Sequence, residues 1–134
     1  MSYKLFLDDY RIPLDCISYM HQRIGKENPI YLEKDWKIAK NYNDFCRIIR
    51  KQGIPDLVSF DHDLADACYH NNFQEGVINY DSEDFNIDLN KTGYHCAKWL
   101  IEYCIENNLS FPKYYVHSMN PVGAENIISL INIF

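Results

Sequence analysis

Three short apolar runs, each closed by polar or ionisable groups, constrain the fold of this chain more than any other feature. They read KLFLDD at residues 4–9, LVSFDHD at 57–63 and YYVHS at 114–118. Runs of four or five residues carrying β-branched and aromatic side chains fit buried strands, since a helix needs a longer periodic stretch. A charge is costly to desolvate, so the carboxylates and imidazoles must stand where the strands leave the apolar layer.

Between these runs the apolar spacing changes to threes and fours. Ile17, Met20 and Ile24 form such a stripe in DCISYMHQRIGKE, compatible with a short helix or with an irregular excursion. DWKIAKNY alternates imperfectly around Trp36, Ile38 and Ala39 and reads as a strand. The helix that follows is expected to start at Asn43 as N-cap, to bury Phe45, Ile48 and Ile49, and to stop at Gly53 and Pro55. Thr92 is placed to cap another helix, with Tyr94, Ala97, Leu100, Ile101 and Cys104 on its buried face. Asn120 and Pro121 open a last helix through Ile127, Ile128 and Ile131, proline being suited to the first helical position.

Strands alternating with helices give an α/β fold with a mostly parallel sheet, because parallel neighbours need crossover connections. Residues 1–134 are expected to form one domain. The passage from Ala65 to Lys91 carries six acidic residues against Lys91 alone and reads as a lid or an insertion loop. In a sheet of this kind ligands bind beyond the carboxyl ends of the strands. All three polar strand ends then fall at one edge.

Bulk properties limit the partners. The net charge of −6 opposes bulk attraction to nucleic acid or to an anionic membrane. Five scattered cysteines without a CxxC pair suit reduced thiols, hence a cytoplasmic setting, and no leader or membrane-spanning run is apparent.

The edge offers the parts of a phosphate site. His62 and His117 are the candidate acid and base, because imidazole titrates near neutral pH; Asp61 and Asp63 accompany them. Arg11 is placed to clamp a phosphate oxygen, with pairing to Asp9 as the plainer reading. The helix N-terminus at Asn120 offers unpaired N–H donors, Ser118 a hydroxyl, and Gly123 room for an anion to approach the backbone. Bare carboxylates would repel a phosphate by about 4 kcal/mol each at 4 Å and an effective dielectric near 20. Either a divalent ion, magnesium by its preference for oxygen, sits among Asp8, Asp9 and Asp61, or the aspartates hold Arg11 and the histidines in place.

LFLDDYRIP, VSFDHDL, TGYHCAKWL and VHSMNPVG occur in the order and approximate spacing of the cyclic-phosphate processing receiver-like domains, and the chain resembles that family over most of its length. The resemblance implies a receiver-like (flavodoxin-like) sheet, truncated after the fourth strand and its helix. It also implies hydrolysis of a cyclic phosphate on a nucleotide, an RNA end or an ADP-ribose derivative. By matching positions, Asp8, Asp9, Arg11, Asp61, His62, Asp63, His117, Ser118 and Asn120 carry over as the site. GYH stands where relatives have GYD, and the acidic passage replaces a short link. The rivals are a module that binds or sequesters such a ligand without turnover, and a degenerate signalling receiver. Against the latter, residues 119–134 contain no Lys or Arg to serve a phosphoryl relay.

Overall fold

A computed structural model of the chain describes residues 2–25, 28–64 and 91–134. The acidic passage 65–91, expected to be a lid or an insertion loop, lies outside them except for Lys91, as does Cys68.

Four strands, β1 (Lys4–Leu7), β2 (Trp36–Ala39), β3 (Leu57–Phe60) and β4 (Lys113–Val116), form one sheet in the order β2-β1-β3-β4. Every pairing in it is parallel. This is the α/β arrangement with a parallel sheet expected from the alternation of strands and helices, in the receiver-like form that the resemblance implies. Helix α1 (Ile17–Ile24) follows a 3-10 turn at Pro13–Cys16, so the stripe at Ile17, Met20 and Ile24 is a helix and not an irregular excursion. A second 3-10 turn, Ile30–Leu32, leads into β2. Three further helices complete the described elements: α2 (Tyr42–Gln52), α3 (Gly93–Glu106) and α4 (Pro121–Ile133).

Alternation along each strand divides the core in two. Leu5 and Leu7, Val58 and Phe60, and Val116 face α2, α3 and α4, where Phe45, Ile49, Leu100, Ile127 and their neighbours fill the layer. Phe6 and Leu57 face the other way, against Cys16, Met20, Tyr31 and Trp36. The connections from β1 run one way to β2 and the return path passes to β3, so the strand order reverses beside β1. A crevice at the carboxyl ends of β1 and β3 is the expected result.

The helix ends follow local chemistry. For α2 the cap is Asn41 rather than the expected Asn43. Asn41 has extended backbone, and its Oδ1 accepts the Asp44 N–H at 2.8 Å, three residues on, whereas Asn43 already lies inside the first turn. Gly53, at φ 88°, ends the helix as expected of a residue that needs left-handed backbone. Thr92 caps α3 and Asn120 caps α4, both as expected. Among the described residues no helix is long and apolar enough to cross a membrane. The four described cysteines are buried and unbridged.

Candidate active site

Register builds the site. Leu7 pairs with Phe60, and Phe60 with Val116. The next residue on each strand continues the ladder: Asp61 N donates to Leu7 O at 3.0 Å and His117 N to Phe60 O at 2.9 Å. Asp8, Asp61 and His117 therefore stand side by side on three adjacent strands, and alternation turns all three toward the α1 face. All are buried, at 1%, 2% and 0% exposure.

Within this half, His117 Nε2 lies 3.0 Å from Asp8 Oδ2 and its Nδ1 2.7 Å from Ser59 Oγ, which in turn is 2.6 Å from the Tyr31 hydroxyl. The ring stacks on Phe6 at 4.3 Å between centroids. Asp8 Oδ1 accepts the N–H groups of Tyr10 and Arg11, at 3.1 and 3.0 Å, which folds the DDYR turn back over the strand end. The guanidinium of Arg11 then comes to 3.6 Å from Asp8 Oδ2. Tyr19 donates to the His117 carbonyl, and Arg23 to the carbonyls of Val116 and Ser118, fixing the end of β4.

His62 comes one residue later than Asp61 and turns the other way. Its ring lies against Gly123 in the first turn of α4, where an added Cβ would stand 2.4 Å from His62 Cγ. His62 Nδ1 is 2.7 Å from Asp63 Oδ1, and both Asp63 oxygens accept from Asn120 Nδ2 at 3.1 Å. The first turn of α3 seals this side: Gly93 N donates to His62 O at 2.8 Å, and a Cβ on Gly93 would collide with the Asp61 carbonyl.

The two imidazoles thus face opposite sides of the sheet, each with its own carboxylate, and are not brought together as a pair. The reason is parity, since His117 directly follows its last paired strand residue whereas His62 comes two after its own. Gly123 likewise makes room for the His62 ring rather than for an anion. In the first turn of α4, Pro121 has no N–H to offer and Gly123 N donates to Asn120 Oδ1 at 3.0 Å, so the expected anion site is partly spent on its own cap. Ser118 is buried, with its Oγ accepting from Asn120 N.

A model of the cyclic-phosphate processing receiver domain matches residues 3–133. The chain belongs to that family. No curated protein and no solved structure matches it.

Charge in this receiver domain is arranged unequally. Burial, with the nearby Asp8 charge, pushes the Asp61 carboxyl up to about 8 although Arg11 opposes the shift. Burial also acts to raise Asp8, but the His117 ring and the Arg11 and Tyr10 amides outweigh it and hold Asp8 below the usual carboxylate range. His117 is lowered by burial, with Asp8 offsetting part of the effect, so the ring is neutral beside an ionised carboxylate. For Asp63 burial is outweighed by His62 and Asn120, and the group stays ionised. Arg11 exerts its charge on Asp8 and Asp61 on one side and on Asp63 on the other.

For a divalent ion the donor set among the described residues is Asp8, Asp61 and His117, with ligand atoms within 4.8 Å of one another; half-buried Asp9 stands outside it. Asp8 already accepts three N–H groups and faces a guanidinium, which uses the acceptor positions of a carboxylate. Magnesium would have to displace His117 and Arg11 from it, so the set as placed does not fit that ion.

Ser59, Tyr31, Tyr19 and Arg23 were not among the residues expected at the site. Ser59 carried a signal, being the one polar residue in an otherwise apolar strand. The others come from segments whose sequence gives no sign of the contact.

Proposed function

We propose that this domain hydrolyses a cyclic phosphate carried by a nucleotide-like molecule or an RNA end. The observation that carries the reading is the place of Arg11, a cation over the seam between two differently tuned halves, acting on Asp8, Asp61 and Asp63 together. In this reading the guanidinium holds the phosphoryl oxygens. His62, whose Nδ1 lies 2.7 Å from Asp63 Oδ1, is the base that takes a proton from the attacking water. Asp61, protonated up to about pH 8, gives its proton to the departing sugar oxygen. One P–O bond forms to water, the ring P–O bond breaks, and the product is a phosphomonoester.

Both nitrogens of His117 are committed to Asp8 and Ser59, so the ring takes no part in these transfers. Arg11 supplies the positive charge, and we propose no magnesium ion; turnover should survive a chelator.

The test is phosphorus NMR of the protein with nucleoside 2',3'-cyclic phosphates, RNA 2',3'-cyclic ends and ADP-ribose cyclic phosphate. The cyclic resonance should give way to that of a monoester. His62→Ala and Asp61→Asn should each slow the reaction by roughly 10²- to 10⁴-fold. Substrates recovered unchanged from the wild-type protein would leave only binding. The adjacent Asp8 and Asp61 favour a second reading, a phosphoacceptor, and labelling of Asp61 by acetyl phosphate would support it.

A further inference from the structure

Four buried polar groups run in an unbroken line from the α1-side core to the candidate site: Tyr31 OH, Ser59 Oγ, the His117 ring and the Asp8 carboxylate. The separations are 2.6, 2.7 and 3.0 Å. None of the four is more than 2% exposed, and Phe6 and Trp36 pack against the rings. Buried polar groups are costly unless each finds a partner, and a line of this kind usually has one consistent direction.

Counting protons fixes that direction. An ionised carboxylate only accepts, so the hydrogen between Asp8 and His117 sits on Nε2. In a neutral ring Nδ1 then carries a lone pair and must receive a hydrogen from Ser59. The Ser59 oxygen, having given its proton away, accepts from Tyr31. Tyr31, Ser59 and His117 each give one hydrogen, and all three point toward Asp8. The opposite tautomer would set the Nε2 lone pair against a carboxylate oxygen, and the two would repel.

We propose that Tyr31 and Ser59 are positioning residues for this site: their hydroxyls fix His117 as the Nε2–H tautomer, and that N–H holds the Asp8 carboxylate which sets Arg11. The last link is direct. Asp8 Oδ1 takes the Arg11 amide at 3.0 Å and Oδ2 faces the guanidinium at 3.6 Å. A residue in the middle of the sheet and a tyrosine from the turn before β2 thereby govern where the phosphate-holding cation stands. The functional part of the proposal rests on the cyclic-phosphate reading above, while the tautomer does not.

Two measurements test it. In long-range nitrogen–proton NMR of the ¹⁵N-histidine-labelled protein, His117 should appear as one neutral tautomer with its proton on Nε2. Ser59→Ala, which removes the donor to Nδ1, should shift that Nδ1 signal and broaden the Arg11 Nε–H resonance. Tyr31→Phe, isosteric but for the hydroxyl, should move both in the same sense by less. With 2',3'-cyclic AMP as substrate, KM should rise about 10-fold in Ser59→Ala and about 3-fold in Tyr31→Phe, with kcat within about 2-fold, each being the loss of roughly one buried hydrogen bond. The double variant should match Ser59→Ala alone, because both act through one line. A wild-type ring carrying its proton on Nδ1, or an Arg11 resonance and KM unmoved in Tyr31→Phe, would overturn the proposal. If Ser59→Ala does not fold, Tyr31→Phe decides. If the wild type turns over nothing, the hydrolysis reading fails alone, and the histidine and Arg11 resonances decide the relay.

Discussion

Asp61→Asn should change how stability depends on pH, in a direction that few carboxylates produce. In the folded protein Asp61 titrates at about 8, raised by burial and by Asp8; in the unfolded chain it returns to its ordinary value of 3.8. Between those values the folded state holds a proton that the unfolded state has released. Folding takes up a proton, and raising the pH opposes it by about 1.4 kcal/mol per pH unit. His117 works the other way. Its folded value is depressed below the ordinary 6.5, so unfolding takes up a proton below pH 6.5 and stability there rises with pH. The two slopes oppose each other on the acid side. Above pH 6.5 the opposing His117 slope dies away within about one pH unit, so the Asp61 slope dominates and flattens as its own titration point is reached. From pH 6.5 to 8 the wild type should therefore lose about 1.5 kcal/mol. Asparagine keeps the oxygen that accepts the His62 amide at 2.9 Å and removes the titration, so the variant should be level or rise by a few tenths of a kcal/mol over the window and be the more stable protein at pH 8. Urea unfolding followed by the fluorescence of Trp36 and Trp99, at four pH values across that window, reads the difference. A wild-type stability that is level or rising there, or a variant with the same slope, would mean that Arg11 keeps Asp61 ionised and would remove it as the proton donor.

Three further substitutions probe the two halves separately. Gly123→Ala places a Cβ 2.4 Å from His62 Cγ, so the ring must shift; a cost of about 1–3 kcal/mol in chemical unfolding and a fall in kcat should appear together. Asn120→Ala removes both the cap of α4 and the clamp on Asp63, and should lower stability by about 1 kcal/mol from the cap alone, with kcat falling further than KM rises. Arg11→Lys keeps the charge but loses the planar fork, and should raise KM for a cyclic nucleotide by about 10-fold with little change in kcat, measured by phosphorus NMR or coupled assay.

Much of this architecture could be read from residue order, and the misreadings have specific causes. The strands at residues 4–7, 57–60 and 113–116 were legible because each is short, largely apolar and closed by an ionisable group. The site edge followed from the rule for parallel sheets. The pairing of His62 with His117 did not survive, although the information against it was present. Leu7, Phe60 and Val116 are the last core-facing residues of their strands, so the residue after each turns to one face and the next residue to the other. Treating a strand end as a single place merged two positions that the pleat separates. The Asn41 cap was missed for a plainer reason, since two asparagines two residues apart satisfy the same preference and only backbone conformation chooses between them. Tyr31 left no trace, because a 3-10 turn has no period to read and its partner is 28 residues away.

Ser59 shows how such contacts become visible in sequence. A hydroxyl at the centre of a buried strand sacrifices apolar packing, and local preference alone would place valine or isoleucine there. Such a residue persists where a partner repays the desolvation, and the partner must be another buried polar group within hydrogen-bond reach. On a parallel sheet that reach extends to the neighbouring strand, here β4, whose end carries His117. The polar residue inside LVSF and the histidine ending YYVH are thus two signs of one interaction. His117 in turn lets Asp8 remain ionised beside Asp61, and Asp8 folds the Arg11 turn back over the sheet. An apolar replacement at Ser59 would improve the core locally and loosen the cation at the edge, which is why the defect in the strand and the chemistry at its end belong together.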